Sequence, residues 1–249
     1  MSIYVYRMLI GVLLGCAFWS AEVKAQKGKI SIDKTVSDPR IPTEKKPAAQ
    51  TSPDYQYSPL EIAVFEEINQ ARRNPQNYIG FLENYKKATK GNLVSLPNKT
   101  ALRTVEGVTV IDEAINELKL VPKLEAYEIS EKLSAAAKLQ LLDLQENPAL
   151  GHIGKNGSNL KTRLAQFCRI EGKSGENICF RGSVARDVVM TFIIDDGVKS
   201  RMHRRNVFNP TFRKFGVACG TDKNKQAVCV TVFAENLKDK DSTLNFTEF

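Results

Sequence analysis

Four of the five cysteines stand between residues 168 and 229, and the fifth, Cys16, lies in an apolar run near the N-terminus. That run has the layout of an export signal. Arg7 supplies a short basic segment, Met8 to Trp19 an apolar one, and Val23-Lys24-Ala25 small residues around a cleavage point. A dozen or so apolar residues fall short of the roughly 20 that span a bilayer. Residues 1–25 are therefore read as a removed signal peptide and the chain as secreted. The alternative is that Leu13-Leu14-Gly15-Cys16 is a lipoprotein site, which would leave the protein anchored through Cys16.

Export makes the remaining cysteines, Cys168, Cys179, Cys219 and Cys229, candidates for two disulfides. Four cysteines allow three connectivities. Chain separation favours Cys168 with Cys179 and Cys219 with Cys229, each closing a loop that contributes about 2–3 kcal/mol by loop entropy. Buried free thiols are the competing reading. The sequence holds no Cys-x-x-Cys pair, so a zinc knuckle or thioredoxin-like site has no support.

Residues 26–57 contain four of the ten prolines and no sustained apolar period, which reads as a disordered linker. From Ser58 the texture changes. Ser58-Pro59-Leu60-Glu61 is a capping box with Pro at the first helical position, and Leu60, Val64, Ile68 and Ala71 then share one face, so the pattern predicts a helix over 59–73. Asn74-Pro75 ends or restarts it. A second helix is expected near 75–87, an irregular excursion with a small hairpin over 88–110, and a short helix over 110–118.

A stronger helix is predicted over 127–145, where Ile129, Leu133, Ala136, Ala137 and Leu144 align. Beyond it, 160–167 reads as a helical segment, 176–180 as a short strand and 184–194 as an apolar helix. Residues 215–220 and 227–234 read as strands rich in Val, Phe and Cys, joined by the polar turn 221–226 into a hairpin. Helices flanking a small late sheet make an α+β layered domain.

The chain carries 36 Lys and Arg against 28 Asp and Glu, a net charge of +8. One unit lies in 1–25 and two in 26–57, so residues 58–249 keep five of the eight. The densest basic stretch is Lys199, Arg201, Arg204, Arg205, Arg213 and Lys214, read as a solvated face with some attraction for anionic lipid or polysaccharide. It lacks the interleaved aromatics of a single-strand nucleic-acid groove, so nucleic acid is excluded as a partner. Composition rules out collagen, coiled coil and disorder throughout. Asn98, Asn156 and Asn245 each open an N-glycosylation tripeptide, relevant if the source is a eukaryote.

Two histidines occur in the whole chain. His152 sits in the glycine-rich loop Leu150-Gly151-His152-Ile153-Gly154, and His203 follows the apolar helix in Ser200-Arg201-Met202-His203-Arg204-Arg205-Asn206. Between them lies Gly175-Glu176-Asn177-Ile178. With Ile68-Asn69-Gln70-Ala71-Arg72-Arg73-Asn74-Pro75 before them and Phe215-Gly216-Val217-Ala218 after, these segments in this order resemble the CAP superfamily, which groups cysteine-rich secretory proteins, antigen 5 and plant pathogenesis-related proteins. The resemblance spans about 58–234, and the domain is placed at 58–237 with a tail at 238–249.

The resemblance implies a three-layer α-β-α sandwich with a small central antiparallel sheet and a cleft holding two histidines and two acidic residues. His152, Glu176 and His203 match three of these; Asp195 or Asp196 supplies the fourth. It also implies a monomeric binding module for lipid, sterol or cell-envelope ligands, with no cofactor required. Two imidazoles flanked by carboxylates suit zinc or another divalent ion, with His152 and His203 as its ligands. The same groups without metal would make a His and Glu pair fit for general acid/base work. The rival reading is accordingly a peptidase-like hydrolase using His152, Glu176 and His203. Ser200 is a weak candidate nucleophile for it, since no strained elbow marks the position.

Overall fold

The computed structural model describes residues 55–239. The export-signal residues, Cys16, the sequon at Asn245 and most of the linker lie outside the described residues. Helix α1 (Pro59–Arg73) starts as its sequence dictates. The Glu61 amide donates to Ser58 Oγ at 3.3 Å, and the Ser58 amide donates to Glu61 Oε2 at 2.7 Å. Glu61 Oε1 in turn accepts the Cys219 amide at 2.9 Å, so one carboxylate caps the helix and fastens it to the sheet.

Helices α2 (Asn77–Lys87) and α3 (Val108–Leu118) follow, with the excursion between them folded as three two-residue strands, β1 (Thr89–Lys90), β2 (Leu93–Val94) and β3 (Leu102–Arg103). After β4 (Glu128–Ile129) come α4 (Glu131–Glu146), a single 3-10 turn at Pro148–Leu150, α5 (Leu160–Leu164), β5 (Cys168–Cys179), α6 (Ala185–Ile194), α7 (Met202–Val207), β6 (Lys214–Thr221) and β7 (Ala227–Asp239).

The central sheet runs β4-β6-β7-β5 and is antiparallel except for the two-residue parallel addition of β4 to β6. Alternation along β6 and β7 splits the core into two layers. Phe215, Val217 and Phe233 face Val64, Ile68, Phe192 and Ile193 of α1 and α6. Ala218, Val230 and Val232 face Leu133, Ala137 and Leu141 of α4. A Cβ at Gly216 would stand 2.2 Å from the Leu133 carbonyl carbon, so glycine there is what lets α4 lie flat on the sheet.

Several expectations are corrected. The strand read as 176–180 extends over Cys168–Cys179, because β7 continues to Asp239 and supplies partners for the polar stretch Arg169–Glu171. Cys168 and Cys179 therefore sit at opposite ends of one 12-residue strand, up to about 36 Å apart at about 3.3 Å per residue. A disulfide needs Cα atoms within about 7 Å, so the expected Cys168–Cys179 bridge is excluded. Cys219 and Cys229 are directly opposed on the β6–β7 hairpin and bridged. The helix read from Tyr127 starts at Glu131 with Ser130 as its cap, because Tyr127 is tied to Asn69: its amide donates to Asn69 Oδ1 at 2.7 Å and its carbonyl accepts from Asn69 Nδ2 at 3.0 Å.

Candidate functional site

His152 and His203 reach the same place from opposite layers. His152 follows α4 and the 3-10 turn, held by the Gln140 side chain through the Gly151 carbonyl. His203 stands in the first turn of α7, whose far end is pinned by Arg72. That guanidinium, fully buried and stacked 3.8 Å over the Tyr127 ring, donates to the Val207 and Asn209 carbonyls. The first-helix motif thus acts at a distance, by fixing the helix that carries His203. The two rings lie 6.4 Å apart between centroids.

Each imidazole is oriented by one carboxylate. His152 Nδ1 is 2.8 Å from Glu176 Oε1, and Glu176 Oε2 accepts from Arg163 at 2.6 Å. Glu176 and Arg163 are buried, whereas the His152 side chain is 55% exposed. A buried charge keeps its place through a buried counter-charge. Arg163 was not legible beforehand, since an arginine in a short polar helix reads as solvated.

His203 Nδ1 is 2.7 Å from Asp195 Oδ1. Asp195 Oδ2 accepts the backbone amides of His203 and Arg204 at 2.9 and 3.2 Å, the service an N-cap side chain performs. Asp195 ends α6 in the left-handed conformation (φ 58°), which turns its short side chain back toward α7. Asp196 does other work: its carboxylate accepts the Val105 and Glu106 amides and anchors the excursion. Of the two aspartates considered, Asp195 is the one in contact with His203. Asn177 and Asn206 complete the frame, with Asn177 Nδ2 donating to the His203 carbonyl and Asn206 Nδ2 to Asn177 Oδ1. Ser200 is exposed on the turn before α7.

With Nδ1 of each ring committed to a carboxylate, Nε2 of each is what remains for a ligand. A ring centroid lies about 3.2 Å from an ion bound at about 2.0–2.1 Å, so two rings on one tetrahedral ion would have centroids about 5 Å apart. The observed pair is about 1 Å wider. Among the described residues no group of three or more His, Cys, Asp or Glu side chains is placed to hold a metal. The two Nε2 atoms are the donors the pair offers, with the carboxylates orienting the rings from behind, and a shared ion would require the rings to close by about 1 Å.

Beside His203 opens a cavity of about 910 Å³ walled by Phe81, Leu96, Leu102, Ile111, Met190 and His203 itself. Its roof is the excursion 96–107. Two clamps hold that roof: Lys99 pairs with Asp187 of α6 at 2.6 Å, and Glu106 pairs with Arg201 at 2.7 Å. The Arg201 hydrogen bond, then the Gly197 amide, hold the Glu106 carboxyl down at about 2. The basic stretch is accordingly less of a solvated face than expected: Arg201 serves Glu106 and Glu113, buried Arg204 serves Glu113 and Glu117 and the last carbonyls of α6, and Lys214 pairs with Glu128.

The model of the CAP family, the cysteine-rich secretory protein family, matches residues 113–233. That span includes both histidines, Glu176 and Asp195. No curated protein matches the chain. Among solved structures, an outer surface protein from Borrelia burgdorferi is similar at 21% identity and TM-score 0.39, over 53% of this chain and 91% of that one. An extracellular protein containing an SCP domain from Bacillus anthracis str. Ames is similar at 20% identity and TM-score 0.35, over 51% of this chain and 39% of that one. No described helix is long and apolar enough to cross a membrane.

Proposed function

With residues 113–233 carrying a CAP-family match as the premise, we propose that this is an extracellular binding protein for a single-chain amphiphilic lipid. The alkyl chain lies in the cavity and the polar head meets His203 and His152. The observation that carries the reading is the contiguity of the two features: His203 is one wall of an apolar chamber and is paired ring to ring with His152 in the cleft. The volume falls within the roughly 300–1,000 Å³ of ligand pockets. Each methylene taken from water contributes about 0.8 kcal/mol, and about fifteen of them, roughly 12 kcal/mol less about 4 kcal/mol for association, support micromolar binding.

A divalent ion such as zinc would be held by Nε2 of His152 and His203, with Glu176 and Asp195 fixing the rings. When bound it would supply a positive charge for an anionic head. Isothermal titration with zinc tests this apart from the lipid: the wild type should bind weakly, and His203→Gln should lose the signal.

The lipid itself is tested by native mass spectrometry of protein purified without detergent. A retained mass of several hundred daltons, removed by organic extraction and restored by a fatty acid, is expected. Protein that carries nothing and takes up nothing after extraction contradicts the reading.

A second reading has its own observation, the 2.8 Å pairing of His152 with a buried carboxylate that is held in place by Arg163. Such a pair can hold or move a proton at Nε2, as a peptidase-like hydrolase would require. Cleavage of a broad peptide library, abolished by His152→Gln, would favour it; an uncut library would sink it.

A further inference from the structure

Three cysteines stand abreast across adjacent strands. Cys229 on β7 is directly opposite Cys219 on β6 and, on its other side, directly opposite Cys179 on β5. All three belong to the layer covered by α1 and α6. The bridge joins Cys219 to Cys229, whose Cα atoms are 4.1 Å apart. Cys179 is a buried thiol that donates to the Arg181 carbonyl at 2.7 Å.

On a central antiparallel strand each residue has a close partner on one side and a hydrogen-bonded partner, with Cα atoms about 5.5 Å away, on the other. The short Cys219–Cys229 separation marks Cys219 as the close partner and leaves Cys179 as the wide one. About 5.5 Å lies inside the range of about 4.4–6.8 Å that disulfides span. Cys229 is thus within bridging distance of two cysteines and bonded to one.

We propose that Cys179, Cys229 and Cys219 form a thiol–disulfide exchange site. The Cys179 thiolate attacks the Cys229 sulfur, a Cys179–Cys229 bond forms, the Cys219–Cys229 bond breaks, and Cys219 departs as a thiolate that takes up the proton Cys179 gave off. Nothing is oxidised or reduced overall. The staple moves from the β6–β7 hairpin to the β5–β7 pair, and β5 is the strand that presents Glu176 to His152. Burial pushes the Cys179 thiol up to about 11, so its thiolate is scarce near neutrality and exchange quickens about tenfold per pH unit below that value.

The test uses the full chain purified without reductant, incubated from about pH 7 to about pH 9, quenched in acid and alkylated with N-ethylmaleimide before non-reducing peptide mapping. A Cys179–Cys229 peptide with alkylated Cys219 should appear, at a rate that rises with pH. The Cys219–Cys229 peptide alone, at every pH and time, overturns the proposal. Two variants refolded in a glutathione buffer give a second reading. Cys219→Ser should acquire the Cys179–Cys229 bridge, and two free thiols there count against the site. Cys229→Ser should leave Cys179 and Cys219 unbridged, since they stand two strands, about 10 Å, apart; a bridge between them would refute the arrangement. If Cys219→Ser does not fold, the wild-type map still decides.

Discussion

The two layers on either side of the central sheet are packed by different rules. On one side α4 is pressed onto β6 and β7 through Gly216, Ala136, Ala137 and Ala218, and small residues set the spacing. On the other, α2, α3 and α6 carry larger side chains and, with the 96–107 excursion over them, enclose the cavity of about 910 Å³. The cleft lies where these layers meet along β5: His152 comes from the tight side and His203 from the open one. The comparison teaches that the tight layer is the reference against which a ligand on the open side can be positioned, since close packing resists displacement.

The sharpest break of that comparison is Gly216→Val. Its new atoms meet the backbone of α4, which cannot yield as a side chain would, and a loss of more than about 3 kcal/mol is expected by chemical denaturation. Next come matched truncations. Leu133→Ala in the tight layer should cost about 2–5 kcal/mol, whereas Met190→Ala on the cavity wall should fall near the bottom of that range, because one side of Met190 already lacks neighbours. Equal losses would show that the two layers do not differ as described.

A smaller effect follows from pH. Glu106 is held at about 2 in the folded chain against an ordinary 4.5, so its contribution is complete above about pH 4.5 and is lost as pH falls through about 2. Acid should therefore loosen the roof of the open layer first. The protection of the Val105 and Glu106 amides relative to intrinsic exchange should fall across that window as the clamp to Arg201 releases, and Glu106→Gln should flatten the dependence. The smallest effect is chemical: Cys179, buried and with its thiol pushed up to about 11, should resist iodoacetamide at neutral pH until the protein is unfolded.

The tight layer was largely legible in the sequence, because its rules are local. The alanine-rich face of 131–146 and the Val and Cys alternation of the hairpin each follow from a short window, as does, on the open side, the capping box at Ser58 and Glu61. The polar half of β5 was not legible, since Arg169, Glu171 and Lys173 offer no apolar run and only the extension of β7 supplies partners for Cys168–Glu171; the Cys168–Cys179 expectation failed for the same reason. Helix α7 is not legible in the sequence because His203-Arg204-Arg205-Asn206 shows no apolar period, and its start is capped by a carboxylate outside it, Asp195. His152, Glu176 and His203 are legible from motif order. The choice of Asp195 over Asp196, the buried Arg163 and the cavity roof needed the fold, because each depends on a partner far away in the chain.

The central claim is that the open layer holds a lipid chain next to His203. It is tested most directly by titrating a fluorescent fatty acid into delipidated wild type and into Leu102→Trp, which places an indole in the cavity from a half-buried roof position. The account predicts micromolar binding by the wild type, a loss of at least about tenfold in the variant, equivalent to about 1.4 kcal/mol, and an unchanged melting temperature. Equal affinities in the two proteins, or no binding by a folded wild type, would contradict it.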